Sequence, residues 1–212
     1  QEVVKKRLKL DLNMDTAELF IGILSDEPER LQYFNNVGIH YSTLRTRAIE
    51  MDADTLPASE MELDQLDVLL INDFDTGALS RDQVNAVWEW VQEGGLLLFG
   101  MGERGEDTLR AFGGELAPYP LPEPDLYEIN MGVEYAQDSP EEAAIPLVCT
   151  DVSLINGSEV LASDELTVIS GVTVGNGMAA AAIYDFGDIG EFCRSNISYV
   201  DKLVTSLLGG ER

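Results

Sequence analysis

The sequence predicts an α/β fold in which a parallel sheet is flanked by helices. Short, continuous apolar runs of strand length recur through the first half of the chain, and amphipathic helical patterns lie between them. Strands that are apolar throughout and alternate with helices are typical of a parallel sheet covered on both faces. The 212 residues are enough for one domain with a real core. No window reaches the roughly 18 apolar residues that a membrane-spanning helix requires.

The first half of the chain supplies a lead-in segment and four strands. Residues 3–12 alternate apolar and charged side chains, which predicts a half-exposed strand. We interpret residues 1–16 as a lead-in from a preceding module and residues 17–212 as a single domain. The chain begins at Gln1 rather than Met, which favours a piece of a longer protein. Strands are predicted at residues 19–24, 44–51, 67–73 and 96–99, and those at 19–24 and 67–73 are expected to be buried.

The first helix is predicted after the first buried strand. Asp26 is the expected N-cap, Pro28 falls in the first turn, and Glu29 holds the capping-box position. The helix should continue to Val37, where Gly38 would end it.

The second helix has the most complete set of helix signals in the chain. Ser80 is a favourable N-cap, Gln83 completes a capping box, four apolar residues follow at helical spacing, and Gly94-Gly95 ends the pattern. A short helix over residues 106–112 should follow the fourth strand, ended by Gly113-Gly114.

The second half of the chain predicts a β-rich C-terminal extension. It opens with four prolines within residues 117–124, and Gly175-Asn176-Gly177 later gives a hairpin signal. A last helix is predicted from Asn196 to Gly209-Gly210, and its apolar stripe should pack on the first sheet. The strand-like runs are residues 126–133, 144–155, 166–174 and 178–186.

The charge is strongly negative. Thirteen Lys and Arg oppose 39 Asp and Glu, a formal net charge of −26, and residues 111–193 contain no Lys or Arg. Nucleic acid requires cationic side chains to replace its counterions, so we exclude a nucleic-acid partner. Such a surface favours solubility under extracellular or acid-tolerant conditions. We therefore expect an extracytoplasmic domain, with a cytoplasmic protein as the alternative.

Three glycines after the fourth strand match the spacing of a dinucleotide-binding turn. Gly100, Gly102 and Gly105 spell G-x-G-x-x-G between a strand and a helix. The turn follows the fourth strand rather than the first, the helix after it is short, and Glu103 adds negative charge where a pyrophosphate would bind. We interpret the glycines as shaping a tight turn and predict no cofactor, although nucleotide binding here stays a third possibility.

The order of these elements resembles the class I glutamine amidotransferase-like superfamily, which has a flavodoxin-like α/β fold. The resemblance rests on the N-terminal strand-helix units, the helix that runs through Gly94-Gly95 into a strand and a glycine turn, and the late Gly175-Asn176-Gly177 hairpin before a final helix. It covers most of residues 17–210. In active members the turn reads G-x-C-x-G and presents a nucleophilic cysteine, and a histidine and an acid are supplied later in the chain.

The resemblance implies a non-catalytic member. The corresponding turn here is a degenerate nucleophile elbow, Gly100-Met101-Gly102-Glu103, in which Gly102 holds the position of the nucleophile. The sole histidine, His40, precedes the elbow, whereas covalent catalysis of this kind needs a nucleophile and a positioned base. We expect Cys149 and Cys193 to be buried free thiols.

The remaining candidate chemistry is carboxylate chemistry. Ligands of open parallel sheets bind outside the carboxyl ends of the strands, and polar residues follow three of the predicted strands. Oxygen ligands of this kind suit Mg²⁺ or Ca²⁺. Acids at strand ends also cap helices, so we assign no metal ligands here. This possible ligand-binding edge comprises Ser25, Asp26, Asp73, Asp75 and Glu103.

These observations favour a non-catalytic domain of a larger, envelope-associated bacterial protein. Its role would be ligand sensing or protein interaction, with an unknown protein or small molecule as partner and membrane contact only through segments outside this chain. The alternative is a metal-dependent hydrolase that uses the acidic edge.

Overall fold

The computed structural model describes residues 18–39, 44–131, 144–163 and 165–208. The predicted lead-in strand at residues 3–12 and His40 lie outside these ranges. No helix within them is long and apolar enough to cross a membrane. The strands are β1 (Glu18–Leu24), β2 (Arg45–Met51), β3 (Val68–Asn72), β4 (Leu96–Gly100), β5 (Asp125–Asn130), β6 (Ala144–Cys149), β7 (Ser158–Ser163), β8 (Leu166–Val174) and β9 (Gly177–Ala182). The α-helices are α1 (Glu60–Leu63), α2 (Arg81–Glu93), α3 (Gly105–Leu109), α4 (Gly113–Leu116), α5 (Gly190–Ser195) and α6 (Ile197–Leu207).

A seven-stranded sheet forms the centre of the protein, in the order β2-β1-β3-β4-β9-β8-β7. Strands β2, β1, β3, β4 and β9 are parallel, and β8 and β7 continue the sheet antiparallel. Strands β5 and β6 pair antiparallel in a separate two-stranded sheet. The prediction of a mixed α/β fold with a mainly parallel sheet is confirmed, because the apolar runs β3 and β4 are buried along their whole length.

The β-rich second half is only partly an extension. Strand β9 returns to the centre beside β4, with Leu98 opposite Ala180, so β5 to β8 form one excursion between two neighbouring strands. The alanines of β9 are fully buried. Strand β7 was not predicted, because its residues are mostly exposed or half-buried and its pairing with β8 has two register irregularities, which leave no clean alternation in the sequence.

Helix α2 agrees with its prediction in detail. The Ser80 hydroxyl accepts a hydrogen bond from the Gln83 amide at 3.2 Å, and the Gln83 side-chain oxygen accepts one from the Ser80 amide at 2.9 Å. This is the expected capping box, and Gly94 ends the helix at a φ of 128°. The Gln83 side-chain nitrogen also donates to the carbonyls of Ala53 and Leu56, so the cap fixes the preceding loop as well.

The helix predicted at residue 28 is wrong in type and in its cap. Residues Pro28–Phe34 form a 3-10 helix with no side-chain cap, and the Ser25 hydroxyl instead accepts from the Glu27 amide at 3.1 Å. Asp26 does not cap because its carboxylate binds Arg104. The helix ends before Gly38, because Asn36 adopts a φ of 62° and turns the chain back along β2.

The short helix predicted at residues 106–112 is split in two. Helix α3 stops at Leu109, and Gly113, predicted to end a helix, begins α4 instead. Glycine is needed at residue 113 because a Cβ there would lie 2.0 Å from the ring of Tyr119. Gly114 has open space around it.

Helix α6 covers one face of the sheet, as predicted. Its residues Val204 and Leu207 approach Ile21 and Leu70 of the central strands and Phe34 of the 3-10 helix. Helix α2 contacts β9, and Trp90 lies buried where a Cβ on Gly95 would collide with its ring. The packed face of α6 is therefore the predicted apolar stripe. In α2 the buried face is rotated, because Trp90 is buried while Val84 and Trp88 of the predicted stripe are half-buried.

Candidate functional site

The site lies where the carboxyl ends of β1, β3 and β4 meet the segment that follows β9. The Asp26 amide donates to the Asp73 carbonyl at 3.2 Å, which joins the turns after β1 and β3. In a parallel sheet these ends form a common edge, as the sequence predicted. The turn after β4 and the residues after β9 complete this edge.

The degenerate elbow is packed closed against Asp185. Gly102 has a φ of +46°, and a Cβ at this position would lie 2.6 Å from the Asp185 Cβ and 2.9 Å from its backbone nitrogen. Hydrogen bonds hold the turn in place: the Gly102 amide donates to Ile183, and the Thr150 hydroxyl donates to the Gly102 carbonyl at 2.7 Å. There is thus no room at Gly102 for the side chain of a nucleophile.

The other two glycines of the turn are also explained by packing. A Cβ on Gly100 would lie 2.0 Å from the side-chain oxygen of Asn72, and one on Gly105 would lie 3.1 Å from both Met101 and Thr150. Helix α3, which starts at Gly105, has only five residues. The three glycines therefore serve close packing in this turn, in agreement with the interpretation from the sequence.

Arg104 binds two of the predicted edge residues together. One guanidinium nitrogen, Nη1, lies 2.9 Å from the Asp26 carboxylate and 2.9 Å from the Asp73 carboxylate. Asp73 has a φ of +47°, which aspartate tolerates better than most residues. Burial raises the pKa of Asp73, and the hydrogen bond and charge of Arg104 oppose that rise. The guanidinium occupies the position between the two carboxylates that a cation would take.

A second arginine neutralises the far side of the same edge. Arg30 contacts Glu27 at 2.9 Å, Asp185 at 3.3 Å and Asp188 at 2.5 Å. Burial, followed by the negative charge of Asp185, raises the pKa of Asp188. Arg30 and Arg104 thus serve as counterions for the carboxylates of the edge.

A buried amide connects the centre of the sheet to this edge. Asn72 is 1% exposed; its side-chain nitrogen donates to Asp185 at 2.7 Å, and its side-chain oxygen accepts from the Phe186 amide at 2.8 Å. The Gly187 amide also donates to Asp185, at 2.6 Å. These bonds satisfy a fully buried polar group and fix Asp185 against the elbow.

Most of the residues that organise this edge of the sheet carry no signal in the local sequence. Each bonds to a partner 31 to 158 residues away in the chain, and no short motif marks such pairs. One signal was available, because a lone asparagine at the end of a fully apolar strand must find hydrogen-bond partners when buried. The residues missed are Arg30, Asn72, Arg104, Asp185 and Asp188.

Only part of the predicted ligand-binding edge comes together. Asp26 and Asp73 share Arg104, and Ser25 is buried in the turn beside them. Asp75 belongs to a separate ion pair with Arg110, at 2.9 Å. Glu103 is exposed. Within the described ranges, no group of three or more His, Cys, Asp or Glu side chains is placed to hold a metal ion.

The two cysteines are buried free thiols, as predicted. Burial raises the pKa of each thiol to about 12, so neither is ionised near neutral pH. The thiolate is the reactive form of cysteine, and both side chains are therefore poor nucleophiles in the folded protein.

No protein-family model matches the chain, and no curated protein sequence matches it. Solved structures do match, at low sequence identity. Cytoplasmic protein STM1381 from Salmonella typhimurium LT2 is 13% identical with a TM-score of 0.60, covering 89% of this chain and 99% of its own. Cytoplasmic protein STM3548 from Salmonella typhimurium is 16% identical with a TM-score of 0.57, covering 90% and 97%.

An enzyme contains a similar unit as part of a longer chain. The exo-beta-1,4-mannosidase Op5Man5 from Opitutaceae bacterium strain TAV5 is 11% identical with a TM-score of 0.51, and the match covers 90% of this chain but 36% of the mannosidase. At these identities the likeness concerns the fold alone. The same α/β architecture therefore occurs both as a whole chain and as one portion of a larger one.

Proposed function

We propose that this chain is a non-catalytic domain of the class I glutamine amidotransferase-like type, and that it acts by binding a ligand or a protein partner. The observation that carries the proposal is the closed elbow, where Gly102 lies against Asp185 with no space for a reactive side chain. Without a nucleophile at the elbow the domain lacks the covalent chemistry of the active members, which favours a binding role.

The order of the parallel strands supports the architectural part of the proposal. Strands β2-β1-β3-β4-β9 follow the doubly wound order 2-1-3-4-5 of flavodoxin-like folds, with the excursion of β5 to β8 inserted before the last strand. The elbow after β4 and the hairpin that leads into β9 are the features on which the family resemblance rested. The resemblance is thus compatible with the topology as well as with the sequence.

The ion pairs at the strand ends support the absence of catalysis. A hydrolase at this edge would need free carboxylates as a metal site or as a general acid and base. Arg104 instead occupies Asp26 and Asp73, and Arg30 occupies Asp185. The metal-dependent alternative lacks support from these contacts.

The place of the domain in the cell is a separate part of the proposal. The extracytoplasmic, envelope-associated setting stays a prediction from composition, and two of the structurally similar proteins are named as cytoplasmic. A reporter fusion of the full-length gene that is active only outside the cytoplasm would agree with the prediction, and one active only inside would contradict it.

A glutaminase assay tests the absence of catalysis. We expect no ammonia release from glutamine above the buffer rate, and no covalent labelling by a glutamine-analogue diazoketone. The matched variants are Cys149→Ser and Cys193→Ser. Ammonia release that disappears in either variant would overturn the proposal, because it would show that one of the buried thiols acts as a nucleophile.

A further inference from the structure

A polar cavity lies at the other end of the sheet from the elbow. It has a volume of about 380 Å³ and opens beside the start of β1 and the edge strand β2. This volume is within the range of pockets that hold small molecules. Within the described part of the chain it is lined by Glu18, Asn35, Asn36, Arg45, Thr46, Arg47 and Ala48.

Several side-chain oxygens of the cavity lining already accept hydrogen bonds from other lining residues. The side-chain oxygen of Asn35 accepts from the Ala48 amide at 3.1 Å, and that of Asn36 accepts from Arg45 at 2.9 Å. Both carboxamides are oriented by these donors, and each also carries an NH₂ group that can donate. The Thr46 hydroxyl already donates to Phe34 and accepts from Val37.

The remaining polar groups of the cavity are almost all donors. Arg45 bonds to the uncharged Asn36 and forms no ion pair with a carboxylate in the described ranges. Arg47 contacts Glu18 at 3.1 Å with one nitrogen, and its side chain is 60% exposed. A guanidinium carries five N–H donors, so the contacts within the described ranges use only some of the donors of each arginine.

The arginines of this cavity differ from those at the elbow. Arg30 and Arg104 are each surrounded by two or more carboxylates. Arg45 and Arg47 lie two residues apart on the same face of one strand, and among the described lining residues Arg47 alone contacts the carboxylate of Glu18. The described lining residues thus include two arginines and one glutamate, which makes this part of the surface locally positive on a chain of net charge −26.

We propose that this cavity binds a small metabolite through an anionic phosphate or carboxylate group. Guanidinium groups recognise both kinds of oxyanion by paired, charge-assisted hydrogen bonds, and the two carboxamide NH₂ groups add neutral donors. The cavity lies at the amino ends of the parallel strands, whereas the elbow lies at their carboxyl ends. Binding in the cavity is therefore independent of whether the elbow is catalytic. The binding role proposed for the domain would then be located at β2 rather than at the elbow.

Isothermal titration with inorganic phosphate and with citrate tests this proposal and separates the two oxyanion classes. Ionic strength is held constant with NaCl, because a highly charged protein responds to any added salt. We expect one of the two probes to bind with a Kd of about 1 mM or tighter. Binding of neither probe would overturn the proposal.

Two variants should shift the affinity in opposite directions. Arg45→Gln removes a charged donor and should weaken binding at least about tenfold. Glu18→Gln removes the carboxylate of the cavity and releases Arg47, so binding should tighten by about threefold. Loss of folding would not strengthen binding, so the second variant keeps the test independent of stability.

Charge-matched controls are available on distant surfaces. Arg81→Gln alters an exposed arginine at the start of α2, and Glu115→Gln alters an exposed glutamate of α4; neither residue lines the cavity. Both controls should leave the affinity unchanged. If Arg81→Gln weakened binding as much as Arg45→Gln, the anion would be responding to net charge, and the proposed site would be wrong.

Discussion

The closed elbow predicts that even one added methyl group at Gly102 destabilises the protein. In Gly102→Ala the alanine must adopt a φ near +46°, which costs about 1–2 kcal/mol for a residue with a Cβ. The same Cβ would lie 2.6 Å from the Asp185 Cβ and 2.9 Å from its backbone nitrogen, and such overpacking costs about 1–3 kcal/mol. The two effects together lower the free energy of unfolding by about 2–5 kcal/mol.

Urea denaturation followed by tryptophan fluorescence measures this loss. The matched control is Gly114→Ala, because a Cβ at Gly114 meets no atom within 4 Å and the residue is exposed in α4. The control should be neutral or stabilised by up to about 1 kcal/mol. A Gly102→Ala variant within about 0.5 kcal/mol of wild type would refute the argument that the elbow is closed by packing.

Three further predictions concern ionisation, salt and thiol reactivity. Burial raises the pKa of Asp73, so ionisation of this carboxyl opposes folding. The Asp73→Asn variant should therefore gain stability relative to wild type as the pH rises from about 4 to about 7. A difference in urea midpoints that does not change with pH would contradict this. The net charge of −26 repels itself, and added salt screens this repulsion, so the melting temperature should rise between about 0.05 and 1 M NaCl. A falling melting temperature would show that screening of the Arg104 ion pairs dominates instead. Cys149 and Cys193 should resist a disulfide-exchange reagent in the folded protein and react once it is unfolded, whereas labelling within minutes of mixing would show that a thiol is accessible.

The parts of the fold that local signals determine could be predicted from the sequence. The capping box of α2 lies within four residues, and the apolar runs of β1, β3 and β4 are continuous in the sequence, so both signals are visible without knowledge of distant partners. The helix after β1 could not be predicted correctly, because the side chain expected to cap it is bound by Arg104 from 78 residues away. An N-cap contributes only about 1 kcal/mol, so a tertiary contact of similar size is enough to compete with it.

In the candidate site, too, residues with a local sequence signal could be predicted and residues with distant partners could not. Gly102 could be singled out because the spacing of the turn is local, and Asp26 and Asp73 because strand ends share an edge. Asp185 could not, since its contacts to Asn72 and Arg30 join segments that are 113 and 155 residues apart. Only the pairing of β9 beside β4 brings these residues together.

The position of β9 also constrains the order in which the protein folds. Its partners β4 and β8 differ greatly in sequence distance: the pairing of Leu98 with Ala180 closes a loop of about eighty residues, whereas the turn between β8 and β9 closes within a few. Contacts with large sequence separation form late, because the chain entropy they remove must be offset by other contacts. We therefore expect the β8–β9 hairpin to form early and the central sheet to be completed last, so that the elbow exists only once folding is nearly finished.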